Sequence, residues 1–429
     1  YNNSDNVDQS ADMGKTLSGK IFIEKTIPAL LSKLLEDNPT IGTRSDFSTP
    51  FTTTNTGTLY KATENITGNT AKDVYYFAGD AKNNWIKFGK QKQTICTYNG
   101  QQVNIGVYSD GAEQIYEINP IENESECTGT NICITTAFGP VIGVTQSQCN
   151  DTSGSQWITA TPTYEGLKYL DLYWRIIRTN ADGSIRLLYS GISPDTTEGY
   201  IGESKFNTND NSPKYAGYMY GDSDTTLEEA RTNTNDSTIK TVIDNWYANN
   251  MTSYTKYLSP TAVYCNDREV GSGTYSATGS EFYYAAYTRL DTNKTPTYDC
   301  TNNNDKFTVD ASTGNGKLTY PIALMTADEI AFAGGVRGLN TPMWYYLNST
   351  GGSITDNGWW LLSSFFWNGN FAFSWFVQIS TNGYSNFKEY DVYNSAAVRP
   401  VTSLKSCVQW KSGDGSASSP YEIVENGGC

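Results

Sequence analysis

The chain contains no histidine among its 429 residues. Histidine is the commonest general base, the commonest metal ligand and the usual charge switch near neutral pH. Its absence excludes Ser-His-Asp and Cys-His catalytic sets, zincin sites and facial-triad iron sites in their usual forms. No CxxC pair occurs. No apolar run is long enough to span a bilayer, so no transmembrane segment is expected. No signal-peptide pattern opens the chain, and Tyr1 is not an initiator Met. The expectation is a mature or truncated form whose signal peptide or N-terminal anchor has been lost. Charge is sparse, at 17% of residues, and the formal net charge is −15. That balance disfavours nucleic-acid phosphate and anionic lipid as partners. The acidic residues are spread along the chain, which reads as a solubility feature.

What is present points to strands. Hydrophobic residues make up 38%, with 31 Tyr and 16 Phe, enough for a core. Tyr, Phe, Thr and Val favour strands, while Gly, Asn and Asp favour turns, so an α+β, β-rich fold is expected. The length allows two or three domains of ~100–200 residues each. Eight cysteines, an even number in an acidic, Asn/Thr/Tyr-rich chain, predict four disulfides and an extracellular or cell-surface location. Spacing pairs Cys265 with Cys300 and Cys407 with Cys429. Cys96, Cys127, Cys133 and Cys149 are left to pair locally. Each closure contributes about 3–4 kcal/mol in the chain-entropy model.

Taken in order, residues 1–15 are polar. Apolar positions then recur at helical spacing from Thr16 to Leu35, interrupted by Pro28, which predicts a helix over Pro28–Glu36. Residues 1–39 thus form an N-terminal arm and short helix, which packs on the core or contacts a neighbouring subunit. Strands are predicted at Thr58–Ala62, Val74–Gly79 and Trp85–Phe88, as a small antiparallel sheet. Residues 91–170 hold four of the cysteines and few helix signals. They read as a disulfide-stapled β insertion whose own core is too limited to stand without the staples. A hairpin is predicted at Tyr173–Arg178 and Ser184–Tyr189. Its Arg175, Arg178 and Arg186 read as a basic patch or as outer-face strand residues. Thr238–Asn249 carries an apolar helical stripe capped by Ser237 or Asp236. Tyr320–Met325 reads as a buried strand, followed by a short helix with Thr326 as N-cap and Gly334 as stop. Asp328 and Glu329 point about 100° apart on that helix, so they cannot face one substrate together, and they favour its N-terminus instead. Asp267 with Glu269 is the other carboxylate pair considered. No enzyme is expected.

The stretch Trp359–Cys407 differs from the rest. Trp359–Leu362 and Ala397–Val401 read as buried strands, and between them aromatics mix with Asn and Ser almost without charge. Rigid aromatics with small adaptable polar residues are the composition of a recognition surface. The candidate contact residues are Phe366, Trp367, Asn368, Asn370, Phe371, Phe373, Trp375, Asn382, Tyr384, Asn386, Phe387, Tyr390, Tyr393 and Asn394. Strand alternation turns about half of such a run toward the core. The partner would be a protein or glycan at the cell surface, or a neighbouring copy of the chain. For Ca²⁺, oxygen ligands are offered by Asp222, Asp224, Glu228 and Glu229, or by Asn207, Asn209, Asp210 and Asn211. Neither group has EF-hand spacing, and Asx-rich loops ordinarily serve as turns, so no cofactor is expected.

The segments YWRIIRTNADGSIRLLYSG (173–191), STIKTVIDNWY (237–247), CNDREV (265–270), YYAAYTRLDTNKTPTYDC (283–300), KLTYPIALMTADEIAFAGG (317–335) and the frame WWLLSS…AVRPVTSLKSC carry a resemblance. Together they resemble uncharacterised secreted or surface proteins of low-G+C gut bacteria. The frame is similar to that of the variable proteins of diversity-generating retroelements. The resemblance implies a C-type-lectin-like main domain formed by residues 40–90 with 171–429. Trp359, Trp360, Arg399 and Pro400 would be its fixed frame, with the residues between them displayed. No lectin-type EPN or QPD triplet is present, so calcium-dependent sugar binding is not implied. Formylglycine-generating enzymes share that fold but need a reactive cysteine pair, which the expected disulfides do not leave. Some relatives are pilin-like at their N-termini, although Tyr1 does not open a pilin-type apolar helix. Two functions follow as expectations: a secreted binding or adhesion protein, or a structural subunit of an extracellular filament, pilus or surface layer.

Overall fold

The predicted hairpin forms around Asn180–Gly183, where the Asn180 N–H bonds the Ser184 carbonyl at 2.9 Å. A computed structural model describes it, covering residues 28–51, 58–66, 70–108, 114–194, 199–339, 341–342, 358–379, 384–425 and 429. The arm before Pro28 lies outside the described residues. Among those residues the chain is β-rich with a few helices, and three large sheets carry it, of eleven, eight and five strands.

The first sheet runs Ile41–Thr43, Thr58–Glu64, Lys72–Ala78, Thr163–Thr179, Ile185–Tyr189, Pro400–Leu404 and Ile322–Leu324. The expected small sheet at 58–88 is therefore not separate. Arg178 pairs with Tyr76 and joins it to the hairpin. Trp85–Tyr98 pairs along Thr163–Thr179 and, at its start, takes the C-terminal strand Tyr421–Ile423 in parallel. The short N-terminal helix spans Leu30–Asp37, two residues later than Pro28. Ala29 stays extended because it bridges Gln409, and the Leu30 N–H bonds the Val408 carbonyl at 2.8 Å. Leu30 and Leu34 bury its inner face.

The predicted insertion boundary falls in mid-strand. Trp85–Tyr98 and Thr163–Thr179 continue unbroken out of the main sheet as a two-stranded ribbon. Beyond it lies the five-stranded sheet, in the order Gln156–Ile158, Ile132–Thr135, Gly139–Ile142, Asn104–Tyr108, Ile115–Asn119. Its two apolar clusters draw only on residues from 96 to 164. The main core draws none from between Phe88 and Leu172. Disulfides Cys96–Cys127 and Cys133–Cys149 staple this unit; Cys265–Cys300 and Cys407–Cys429 form as spacing predicts.

The third sheet orders Glu203–Lys205, Ser395–Ala397, Trp359–Trp367, Ala372–Ile379, Tyr384–Asp391 and Thr341–Pro342, with Phe282–Tyr284 also pairing the far end of Trp359–Trp367. The segment Ala397–Val401 is not one strand. Ser395–Ala397 belongs to this sheet and Pro400–Leu404 to the first. Between them Arg399 is fully buried, donates to the Tyr189 carbonyl at 3.0 Å and lies 5.0 Å from the Trp359 ring. Arg399 thus ties the two sheets where the chain crosses over.

A candidate recognition face

The hairpin Trp359–Trp367/Ala372–Ile379 turns at Asn368–Phe371. Asn368 Oδ1 accepts the N–H groups of Asn370 and Phe371 at 2.9 and 2.7 Å. Gly369 takes φ +94, a region closed to most side chains. Register then places Phe366 opposite Phe373 and Trp360 opposite Phe376. Trp360 and Phe376 pack inward, with the Trp360 indole N–H on the Ser204 carbonyl at 2.8 Å. Phe366 and Phe373 stack with centroids 4.5 Å apart on a half-buried surface.

Three candidate contact residues are corrected. Trp367, Trp375 and Phe387 are buried core. At these three positions the sheet is covered, so strand alternation does not expose their rings. Trp375 sits 4.6 Å from the Phe365 ring and 5.2 Å from Phe387. Tyr390 is half-buried and stacks on Phe376 at 4.5 Å. Asn386 is half-buried, its Oδ1 accepting the Gly338 N–H. Phe371 and Tyr393 are 45% and 48% exposed, and Asn370 and Asn394 are exposed beside them. Lys205 Nζ lies 3.3 Å from the centre of the Tyr393 ring. Asn382 and the Tyr384 side chain lie outside the described residues.

Two rings were missed. Phe282–Tyr284 brings Tyr283 alongside Phe366, with centroids 5.2 Å apart and planes within 12°. Tyr287 follows at 4.2 Å from Tyr283. The result is a ladder, Tyr287–Tyr283–Phe366–Phe373, half-exposed along its length. Arg337 closes its Tyr287 end, 5.3 Å from that ring, held by Asp291 at 2.8 Å and Glu389 at 3.0 Å. Burial works against the Arg337 charge, yet those two carboxylates raise its pKa. Burial and the bond to Glu281 push Tyr283 up to about 12, so the ladder phenol stays neutral. No local sequence signal marks Tyr283 or Tyr287; only the pairing of distant strands assembles them with the hairpin.

The geometry decides what this surface offers. Phe366 is sandwiched, with Tyr283 on one face and Phe373 on the other. Ring faces inside the ladder are taken, so a partner meets ring edges. Edges carry the positive part of the aromatic quadrupole. Such a surface suits carbonyl oxygens and apolar side chains better than the flat face of a sugar.

The remaining candidates are structural. Arg175, Arg178 and Arg186 are buried, and do not form a surface patch. Arg178 and Arg186 share Glu329, each at 2.7 Å, and Arg178 also holds Glu64 at 2.9 Å. Glu329 forms a capping box with the predicted N-cap Thr326. Asp328 accepts from Arg289 at 2.9 Å, and Arg289 also reaches Asp267 at 2.6 Å. The cavity beside this network is about 20 Å³, room for one water. Among the calcium candidates, Asp222 accepts from Asn235, Asp224 from Ser212, and Glu229 caps Leu227–Ala230. No group of three carboxylate or thiol side chains suited to a metal occurs among the described residues. No helix among them is long and apolar enough to cross a membrane.

In comparisons with known proteins, no family model, no curated protein and no solved structure matches the chain.

Proposed function

We propose that the chain is a secreted or cell-surface binding protein that takes a protein partner on the Tyr287–Tyr283–Phe366–Phe373 ladder and the adjoining Asn368–Phe371 turn. The main domain serves as a C-type-lectin-like scaffold in this reading. The observation that carries it is the half-exposed stack whose inner ring faces are occupied by one another. Four disulfides are compatible with an extracellular setting. A protein partner is favoured over a glycan because Phe366, stacked on both faces, offers only its edge.

The test is a screen of extracellular proteins by surface plasmon resonance against the intact chain. It is repeated with Phe371→Ala/Phe373→Ala and with Tyr108→Ser, an exposed ring on the insertion. Hot-spot aromatics cost ~2 kcal/mol or more on truncation. The double variant is expected to lose about 30-fold in affinity and the Tyr108 variant none. Equal binding by a folded double variant overturns the reading. Selective capture of the chain by itself, lost in the same variant, makes the partner a neighbouring copy in a filament or surface layer.

A further inference from the structure

The ladder ends differently on its two sides, and the difference bears on the chemistry of its partner. At the Tyr287 end the cap is internal. Arg337 lies 5.3 Å from the Tyr287 ring and 5.1 Å from the Phe365 ring, with Asp291 at 2.8 Å and Glu389 at 3.0 Å. A guanidinium covers the aromatic end while two carboxylates hold its charge. Arginine suits this place because its planar cation stacks on rings and also bonds carboxylates.

At the Phe373 end the carboxylate is present and the cation is not. Strand pairing sets Tyr283 opposite Phe366, Phe366 opposite Phe373, and Phe373 opposite Asp391. Directly opposed residues share a face, with Cβ atoms about 4.5–5.5 Å apart. Asp391 is therefore the next member of the row. Glu389 lies on the same strand and the same face, and it is the carboxylate that Arg337 takes. Asp391 is half-buried, and its Oδ1 accepts the Tyr393 N–H at 2.9 Å. No Lys or Arg lies within ion-pair reach of it among the described residues. The charge that acts on it is that of Asp210, whose carbonyl accepts the Ala372 N–H at 2.8 Å beside the row. Burial and this like charge raise the Asp391 pKa, so a cation at this end would relieve both. Phe366 covers one face of Phe373, and no second ring stacks on Phe373 among the described residues.

We infer that the protein partner of the ladder presents an arginine side chain at the Phe373 end, stacked on the Phe373 ring and bonded to Asp391. The inference rests on the reading of the ladder as a binding face and adds the charge of what it binds. The guanidinium would do at this end what Arg337 does at the other. Arginine is also among the residues that most often dominate binding at protein interfaces.

The test titrates the intact chain with acetyl-Leu-Arg-Leu-amide and with the same peptide carrying citrulline, which keeps the shape and loses the charge. At physiological salt the pull of the −15 net charge is screened beyond ~8 Å, so local carboxylates decide the outcome. The arginine peptide is expected to bind about 10-fold more tightly than the citrulline peptide. Asp391→Asn keeps an acceptor for the Tyr393 N–H, should melt as the parent does, and should remove most of that preference. Asp151→Asn, the same charge change at an exposed position of the insertion, should leave it intact. Phe373→Ala should weaken the arginine peptide as well. No binding of the arginine peptide at millimolar concentration overturns the inference. So does equal binding of the two peptides, or a preference that survives in the folded Asp391 variant. The two readings fail separately. An extracellular partner lost in Phe371→Ala/Phe373→Ala but indifferent to Asp391→Asn keeps the ladder as the binding face and overturns the arginine. A partner indifferent to the double variant overturns both.

Discussion

Glu329→Ala will lower the stability of the protein by about 3–5 kcal/mol, the cost of breaking a buried ion pair from one side. The carboxylate is 3% exposed and makes three charge-assisted bonds. Arg178 Nε and Arg186 Nη1 donate to Oε1 at 2.7 Å each, and the Thr326 N–H donates to Oε2 at 2.9 Å. Arg178 would keep Glu64. Arg186 would keep only the Val263 carbonyl and the Tyr264 ring, with its Nε already lacking a partner. An unpaired guanidinium in the core is the source of the large effect. Glu329→Gln retains the shape and some of the bonds, so its loss should be smaller. The pH dependence has a definite sign. Burial opposes ionisation of Glu329, but Arg186 and Arg178 outweigh it and hold the pKa below its ordinary 4.5. A depressed carboxylate pKa gives stabilisation that is complete above 4.5 and lost as pH falls through the folded-state value. Urea midpoints should therefore differ most between wild type and Glu329→Gln at pH 7. The difference should shrink as the pH is lowered below about 4. An unchanged midpoint at pH 7 in the Ala variant would sink this account.

The same network marks where sequence stops being legible. Thr326-x-x-Glu329 and Gly334 are local signals, and the helix begins and ends where they place it, with Gly334 at φ +121. Cys265–Cys300 and Cys407–Cys429 follow from spacing. Arg178 and Arg186 could not be placed in the same way. Strand alternation says that a side chain leaves the main chain on one side. It does not say what covers that side, and the partners Glu64 and Glu329 lie 114 and 151 residues from Arg178. The aromatic run was legible only in part. Its first strand was legible at Trp359–Leu362, but the turn at Asn368–Phe371 was not, and Trp375 and Phe387 are fully covered while Phe366 and Phe373 are covered only in part. Tyr283 and Tyr287 join the surface only because Phe282–Tyr284 pairs with the end of Trp359–Trp367. Ala397–Val401 reads as one apolar strand, yet the chain changes sheets within it, and only the buried Arg399 hints at the crossing.

Replacing all four cysteines of the insertion by serine is expected to unfold that unit and leave the rest folded. Cys96–Cys127 and Cys133–Cys149 close loops of 31 and 16 residues. The chain-entropy relation gives about 3–4 kcal/mol for each, some 6–7 kcal/mol together. Against that, the described residues of the unit form two small apolar clusters, of six and four buried residues, and four of those ten are the cysteines themselves. A domain so small is close to the stability margin even with its core intact. The main core contains no residue between Phe88 and Leu172, so its packing does not need the insertion. What links them is the ribbon, where Lys90–Thr97 pairs with Thr163–Asp171. A two-stranded ribbon is marginal alone, and it should fray back toward Phe88 and Leu172, where the core begins. Hydrogen exchange read by mass spectrometry distinguishes the outcomes. Amides of Ile132–Thr135 and Gly139–Ile142 should lose protection by several orders of magnitude, while those of Ile185–Tyr189 keep theirs. Global loss of protection would mean that the ribbon transmits stability into the main sheet. Full retention would mean that the small clusters suffice without their staples. If the loss is confined as expected, the ladder at Phe366 and Phe373 should bind unchanged in the four-serine variant, since none of its supporting strands passes through the insertion.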